Sequence, residues 1–444
     1  MSELTLAQAS AWCGGQIDDR FAETVFLGAC HDSRLVQPGQ LFVALPGQRD
    51  GHDFIESALA RGASAVLCTH CTGSYPAIVV PDTRLALGQI ARMERQRLNC
   101  RVIGVTGSVG KSTTKEMIAA VLRQKYPTGK TPANHNNDIG MPMGILSLPS
   151  GTQAAVLEMG MNHFGELSYL TSIAQPDIGV ITNIGTAHIA YLGSREGILQ
   201  AKLEMLEGLR PGGRTVFLAD EPLLWALQRP DTVYFGLENP SCEIYGSDYQ
   251  EENGISRVTV DGYRLTIPVE GAHLVRDALA AVAVGRLMGL RMEEIQAGLS
   301  SYRSMEGRQR IVQRGGYTVM EDFYNAGPES MAASLNVLAK KPGKRIAILG
   351  DMLEQGDYAP QSHAQVGHQA AQCCDVLLCL GSQAECMAQS AQRAGLQQAL
   401  AFSTAEELTQ TLRSLAAPGD TLLVKGSRGM KMERVLALFF GEET

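Results

Sequence analysis

At 444 residues the chain is too long for one ordinary hydrophobic core, so two or three domains are expected. Its 45% apolar and 19% charged residues exclude a disordered chain. A formal net charge of −8 argues against nucleic acid as the main partner, while leaving room for an anionic small ligand in a locally positive pocket.

The opening stretch, MSELTLAQASAW, has neither a basic run nor a long apolar core, so no secretory leader is expected and the cytoplasm is the default location. No apolar run approaches the roughly 18 residues of a bilayer span. Up to residue 98, the strand-like runs LFVAL, SAVLCTH and IVV alternate with the helical pattern FIESALARGA, predicting a small α/β module. Cys68 and Cys71 form a CxxC there, but no second Cys/His pair completes a zinc site. With ten cysteines in so long a chain, reduced thiols are expected.

A second segment, 99–305, starts with RVIGVTG, a β-branched run leading straight into glycine. AAVLEMG and DIGVITNIG follow as further buried-type strands, with KEMIAAVLRQKY and GELSYLTSIA as helical stretches between. Such alternation predicts a parallel sheet with right-handed crossovers. VFLAD, a β-rich stretch from VYFG to LTIPVE and the Ala-rich helix VRDALAAVAVGRLMG complete the segment. The polar cluster SYRSMEGRQR marks the boundary to a third segment, 306–444, where YTVMEDF, RIAILGD, DVLLCLG and TLLVKGS alternate with helical patterns. That pattern predicts a second, doubly wound sheet.

The chemistry begins at GVTGSVGKST, residues 104–113. A strand, a glycine-rich turn and a helix follow one another as an anion-binding loop requires. Lys111 is placed to reach the β- and γ-phosphates of a nucleoside triphosphate and Ser112 to ligate Mg²⁺. The spacing is one residue short of the common phosphate loop, because Val105 stands where the first glycine is usual. Glu158 and His188 lie just past the ends of two buried-type strands, and in an open α/β sheet both ends face the phosphate loop's crevice. Together they suit a metal that accompanies ATP. Lys202, in LQAKLEML, reads plainly as a solvated helix lysine beside Glu204 and Glu207.

Longer blocks carry more. TGSVGKSTTKEM, NHNNDIGMP, LEMGMNHFGEL, ITNIGTAHIAYLGSREGILQAKLEML, EDFYNAGPESM, ILGDMLEQG and VKGSRGMKME occur in this order. Together they resemble the Mur ligase family of peptidoglycan synthesis, and HDSRLVQPGQLFVALPGQRDGHDF is similar to the nucleotide-sugar domain of the members that add D-alanyl-D-alanine. The resemblance implies three α/β domains: an N-terminal one (1–98) for the UDP-sugar, a central P-loop ATPase-like one (99–305), and a Rossmann-like C-terminal one (306–444) for the incoming dipeptide and nucleotide contacts. It implies an ATP-dependent ligase that joins D-Ala-D-Ala to UDP-N-acetylmuramoyl-tripeptide through an acyl phosphate, acting as a monomer.

The family's own phosphate loop is the short TGxxGK[ST] form, matched by Thr106, Gly107, Ser108, Val109, Gly110, Lys111 and Ser112, with Thr113 following. The resemblance makes Lys202 a lysine carbamylated by CO₂, which with Ser112, Glu158 and His188 would hold two Mg²⁺ ions. It places Arg308, Asp322 and Asn325 at the nucleotide, and Ser33, Arg34, His52 and Asn137 on the substrate side. Two blocks depart from the family pattern. HLVRD stands for HNxxN, putting Leu274 and Asp277 at adenine-side positions, and YNAGP has Gly327 for a second Asn. A sibling ligase adding a diamino acid, a folylpolyglutamate synthetase and a non-catalytic binding scaffold are the alternative readings. The third residue of the tripeptide, meso-diaminopimelate or L-lysine, stays open.

Overall fold

A computed structural model describes residues 3–132 and 135–442. The N-terminal part pairs β1 (Glu3–Thr5) antiparallel with β2 (Val25–Leu27). Beside it lies a four-stranded parallel sheet of β3 (Ala29–Cys30), β4 (Leu41–Val43), β5 (Ala65–Cys68) and β6 (Ala77–Val79), in that order. The helix Thr83–Leu98 closes the module, its start capped by Asp82 Oδ1, which accepts from the Arg84 and Leu85 N–H groups. Cys68 is buried on β5, and burial pushes its thiol up to about 11, which keeps it an inert core residue. All ten cysteines are unpaired.

The central sheet has seven parallel strands. They are β7 (Arg101–Thr106), β8 (Thr128–Lys130), β9 (Ala154–Glu158), β10 (Ile178–Ile181), β11 (Arg214–Leu218), β12 (Thr232–Gly236) and β13 (Ile244–Tyr245). The spatial order is β13-β12-β11-β10-β7-β9-β8. Residues of β9 and β10 are buried throughout, which is why both read as continuous apolar runs rather than alternating ones. The β-rich stretch that follows forms its own antiparallel sheet of β14 (Ser247–Glu252), β15 (Ile255–Val260) and β16 (Tyr263–Ile267).

The C-terminal sheet has six strands: β17 (Arg310–Arg314), β18 (Tyr317–Asp322), β19 (Arg345–Gly350), β20 (Val376–Leu380), β21 (Ala399–Phe402) and β22 (Thr421–Lys425). Their order is β17-β18-β22-β19-β20-β21, parallel except for the β17–β18 hairpin. Sequence patterning finds four of these. It misses β17 and β21, edge strands of which only Ala399 is fully buried, so that they carry a weak apolar signal.

One apolar core runs without a break from Leu4 to Tyr302, across the N-terminal module and the central sheet. Arg95, in helix Thr83–Leu98 and 3% exposed, reinforces that junction. Its guanidinium donates to the Ala174 and Gln175 carbonyls (2.6 and 2.9 Å) and to Asp177 Oδ2 (3.3 Å). The C-terminal sheet has separate cores on its two faces. Among the described residues no helix is long and apolar enough to cross a membrane.

Candidate active site

β7 leaves the sheet at Thr106, and the chain turns through Gly107 (φ 151°) and Gly110 (φ 81°) into helix Lys111–Leu122. Both positions require glycine for space as well as for backbone angle. A Cβ on Gly107 would lie 1.9 Å from Thr182 Oγ1, and one on Gly110 would lie 2.6 Å from Asp277 Oδ1. The first N–H groups of the helix have no intrahelical partner, which suits a bound phosphate. Lys111 Nζ curls over the loop and donates to the Gly107 and Ser108 carbonyls at 2.8 and 3.2 Å. Burial pulls this ammonium below the usual lysine range; Glu158 opposes the shift and Arg308 adds to it.

Because β7 sits between β9 and β10, the ends of those strands flank the phosphate loop. From β9 comes Glu158, its last residue. Glu158 Oε2 accepts from the Ser112 hydroxyl at 2.6 Å, and Oε1 accepts from Asn136 Nδ2 at 2.9 Å. Lys115 Nζ, fully buried, lies 3.5 Å from Glu158 Oε2 and donates to the Thr131 carbonyl at 3.0 Å. Lys115 was passed over in the sequence, although one helical turn separates it from Lys111 and Ser112, on the same face.

From β10 comes the loop Thr182–His188. Thr182 Oγ1 and Asn183 Nδ2 donate to the Val109 carbonyl at 2.6 and 3.1 Å. Asn183 Oδ1 accepts from the Val109 N–H at 3.0 Å, and the Gly185 N–H donates to Ser108 Oγ at 2.8 Å. At the end of the loop His188 holds φ 65°, a left-handed conformation uncommon for a non-glycine. Its Nδ1 is 2.9 Å from Glu354 Oε2 but off the line of a hydrogen bond, so this buried nitrogen has no hydrogen-bond partner among the described residues. Burial, Lys111 and Lys202 hold the imidazole below its usual pKa, with Glu354 opposing.

Lys202, on helix Arg195–Leu203, is 1% exposed. The plain reading of it as a solvated lysine beside Glu204 and Glu207 therefore fails: those carboxylates turn away, to the Gly165 and Ser168 N–H groups and the Ser168 hydroxyl. Burial, with Lys111 close by, holds the Lys202 amine well below its usual pKa, favouring the neutral form.

The C-terminal segment supplies the facing wall. Arg308 stacks on the Tyr324 ring with 3.6 Å to the ring centre. Asp322 Oδ2 accepts from Lys425 Nζ at 2.7 Å and from Ser334 Oγ at 2.5 Å. The Asn325 carbonyl also accepts from Lys425, at 3.0 Å. Lys425 itself, at the end of β22, escaped notice in the sequence. The two walls enclose a cleft of about 1110 Å³ lined by Lys111, Glu158, His188, Arg308, Asp322 and Asn325, among others. That is the size of a nucleotide with room beside it.

Asp277, placed on the adenine side by the family pattern, packs against Gly110 and accepts from the Thr114 hydroxyl at 2.9 Å. Burial pushes its carboxyl up to about 8, which leaves it protonated at neutral pH. The substitution is therefore felt beneath the phosphate loop. Leu274, its companion, is buried at the cleft wall, while Gly327 begins helix Pro328–Leu338.

Other candidates lie apart or play local roles. Thr106 Oγ1 is buried at the base of the loop without a hydrogen-bond partner among the described residues, and Thr113 lines the cleft. Asn137 also lines it, its Oδ1 accepting from the Gly140 N–H at 2.8 Å; Asn134 of the same block lies outside the described residues. Ser33, Arg34 and His52 do not line the cleft. Ser33 is buried, and Arg34 is exposed and pairs with Asp32 at 2.7 Å. His52 is fixed by Asp50 at 2.6 Å and by the Thr69 N–H at 2.9 Å, and it stacks on His70.

Comparison with known proteins places the chain by sequence and by fold. Residues 27–95 match the model of the Mur ligase family catalytic domain, 105–285 that of the Mur ligase middle domain, and 307–428 that of the Mur ligase glutamate ligase domain. A UDP-N-acetylmuramoyl-tripeptide–D-alanyl-D-alanine ligase of Bacillus subtilis is 38% identical over 435 residues, covering 95% of each chain. Crystal structures of MurF from Acinetobacter baumannii (TM-score 0.90, 30% identity, all of both chains) and of MurF from Thermotoga maritima in complex with ADP (TM-score 0.83, 29% identity, 94% of this chain and 97% of that one) share the fold. The ATP-type loop, the carboxylate beside it and the buried lysine thus sit in a chain whose matched segments span most of its length, and the chain belongs to the Mur ligase family.

Proposed function

We propose that this protein joins D-alanyl-D-alanine to the terminal carboxylate of UDP-N-acetylmuramoyl-tripeptide, converting ATP to ADP and phosphate, in the cytoplasmic synthesis of peptidoglycan precursors. The observation that carries the reading is the Ser112–Glu158 contact at the phosphate loop, with the buried Lys202 amine near Lys111. Relatives that match nearly the whole chain bear the name of this ligase.

The residues fit the groups the reaction needs. Mg²⁺ is held by one or two carboxylates plus substrate phosphates rather than by an all-protein cage. Among the described residues no cluster of three His, Cys, Asp or Glu side chains forms such a cage, while Ser112 and Glu158 offer hard oxygens beside the loop and His188 a nitrogen that faces Glu354 without a hydrogen bond. Bound there, Mg²⁺ offsets negative charge on the phosphates. A neutral Lys202 amine suits addition to CO₂, and the resulting carbamate would supply further oxygens.

Lys111 and the loop N–H groups hold the γ-phosphate, and Arg308 approaches from the facing wall. The tripeptide carboxylate oxygen attacks phosphorus, forming an acyl phosphate as ADP leaves. The dipeptide's neutral amine then adds to the acyl carbon, and the tetrahedral adduct expels phosphate and loses a proton to give the amide. Catalysis of this kind is positioning and electrostatics. In this reading residues 1–98 hold the uridine diphosphate through Ser33, Arg34 and His52, the central segment holds ATP, and 306–444 receives the dipeptide; the protein acts as a monomer.

The test measures ADP and phosphate release with tripeptides ending in meso-diaminopimelate or L-lysine, with and without D-Ala-D-Ala and bicarbonate. Release that requires both tripeptide and dipeptide supports the reading; release indifferent to them overturns it.

A further inference from the structure

The loop Thr182–His188 is gripped from two sides. One side is the phosphate loop, through the bonds of Thr182, Asn183 and Gly185 to Ser108 and Val109. The other is Glu329, in the first turn of helix Pro328–Leu338 of the C-terminal segment. Glu329 Oε1 accepts from the Thr186 N–H at 2.8 Å, and Oε2 from the Thr186 hydroxyl at 3.2 Å, across 143 residues of sequence. The approach is close: a Cβ on Gly185 would lie 2.9 Å from Glu329 Cδ. A carboxylate of one sheet unit therefore holds a four-residue path, Thr186–Gly185–Ile184–Asn183, whose far end fixes the Ser108 and Val109 backbone.

We infer that Glu329 is a positioning residue for phosphoryl transfer. Seating the C-terminal segment lets its carboxylate fix Thr186, and Thr186 holds the phosphate loop in the geometry that transfer requires. The inference rests on the reading of the cleft as the ATP site. Glu329 touches no reacting atom in this account. Its removal loosens a loop one contact away from the phosphates, and misplacement of this kind lowers turnover more than ground-state binding.

The experiment compares wild type, Glu329→Ala, Glu329→Gln, Thr186→Val and the Glu329→Ala/Thr186→Val double variant, reading kcat, KM for ATP and the equilibrium affinity for ADP. Glu329→Ala is expected to lower kcat on the order of 10- to 100-fold with ADP affinity changed less than about 3-fold. Glu329→Gln can still accept from the Thr186 N–H and should recover most of kcat. The double variant should be no slower than Glu329→Ala alone, because Thr186→Val removes only the hydroxyl half of the grip that Glu329→Ala removes whole. Wild-type kcat in Glu329→Ala, multiplying losses in the double variant, or an equal fall in ADP affinity would each overturn the inference. Should Glu329→Ala fail to fold, Glu329→Asp, one methylene too short to reach Thr186, takes its place: a kcat loss that leaves ADP affinity unchanged supports the inference, and wild-type kcat overturns it. A wild-type protein that turns over no ATP would instead defeat the proposed function.

Discussion

His188 and Glu354 face each other across the central and C-terminal sheets, Nδ1 to Oε2 at 2.9 Å, and both hold left-handed backbone angles (φ 65° and 61°). Non-glycine residues persist in that region only where the surroundings enforce it, at about 1–2 kcal/mol each. Glu354→Gly should therefore relieve about 1 kcal/mol of strain, while Glu354→Ala should not. Both should slow turnover by loosening His188. Paired calorimetry and steady-state kinetics check this; a Gly variant as active as wild type would leave the strain without a catalytic role.

Glu158 faces the buried Lys115 ammonium as well as the Ser112 hydroxyl. Glu158→Ala leaves that charge with less compensation, at about 2 kcal/mol of stability. Turnover should fall by more than about 10²-fold. Urea denaturation beside phosphate-release kinetics separates the two effects. Unchanged stability would mean that Glu116 and the Thr131 carbonyl suffice for Lys115.

Lys202→Ala should nearly abolish turnover. A second readout does not depend on activity: bicarbonate should raise the melting temperature of wild type and not of the variant, because a carbamate formed only in the folded state stabilises it. ¹³C-bicarbonate should give a carbamate signal in wild type alone. Equal thermal shifts in both proteins would remove Lys202 as the site. In bicarbonate-free buffer the depressed amine contributes stability above about pH 10.4, which is lost as pH falls through its lowered folded value, so Lys202→Met should gain on wild type toward acid.

Asp277 gives the opposite slope. Its carboxyl titrates near about 8 when folded, against about 3.9 unfolded, so its contribution is complete below about pH 4 and is lost as pH rises through 8. Asp277→Asn keeps an acceptor for Thr114 and cannot ionise. Its advantage over wild type should grow across that window by about 1.4 kcal/mol per pH unit, to the order of 5 kcal/mol at pH 8. Urea midpoints at several pH values measure it, and a difference flat with pH would place Asp277 in a wetter setting.

The phosphate loop, Glu158 and His188 were legible because strand ends in a parallel sheet must share one edge, and periodicity marks strand ends. Lys202 was legible only through the family's blocks. Helical spacing showed its neighbours along the chain, Glu204 and Glu207, but not the elements that cover it, and those decide its charge. Lys115 was hidden for the same reason, since its acceptors come from Thr131 and β9. Glu329 and Glu354 reach the site across long stretches of sequence, which no local pattern records. Asp277 was placed on the adenine side by the family resemblance, and its contacts with Gly110 and the Thr114 hydroxyl, at the phosphate loop and the helix behind it, are tertiary and so invisible in the chain.

The apolar core shared by residues 4–302 divides this five-sheet chain differently from its sheets. The N-terminal module and central sheet should melt as one cooperative block, and the C-terminal sheet, with its own two cores, as another. A gene cut after residue 305 should yield a folded, monodisperse fragment. A cut after residue 98 should not, because it strips helix Thr83–Leu98 of the Ala174, Gln175 and Asp177 groups that satisfy Arg95. For protein engineers the chain offers one seam, after residue 305.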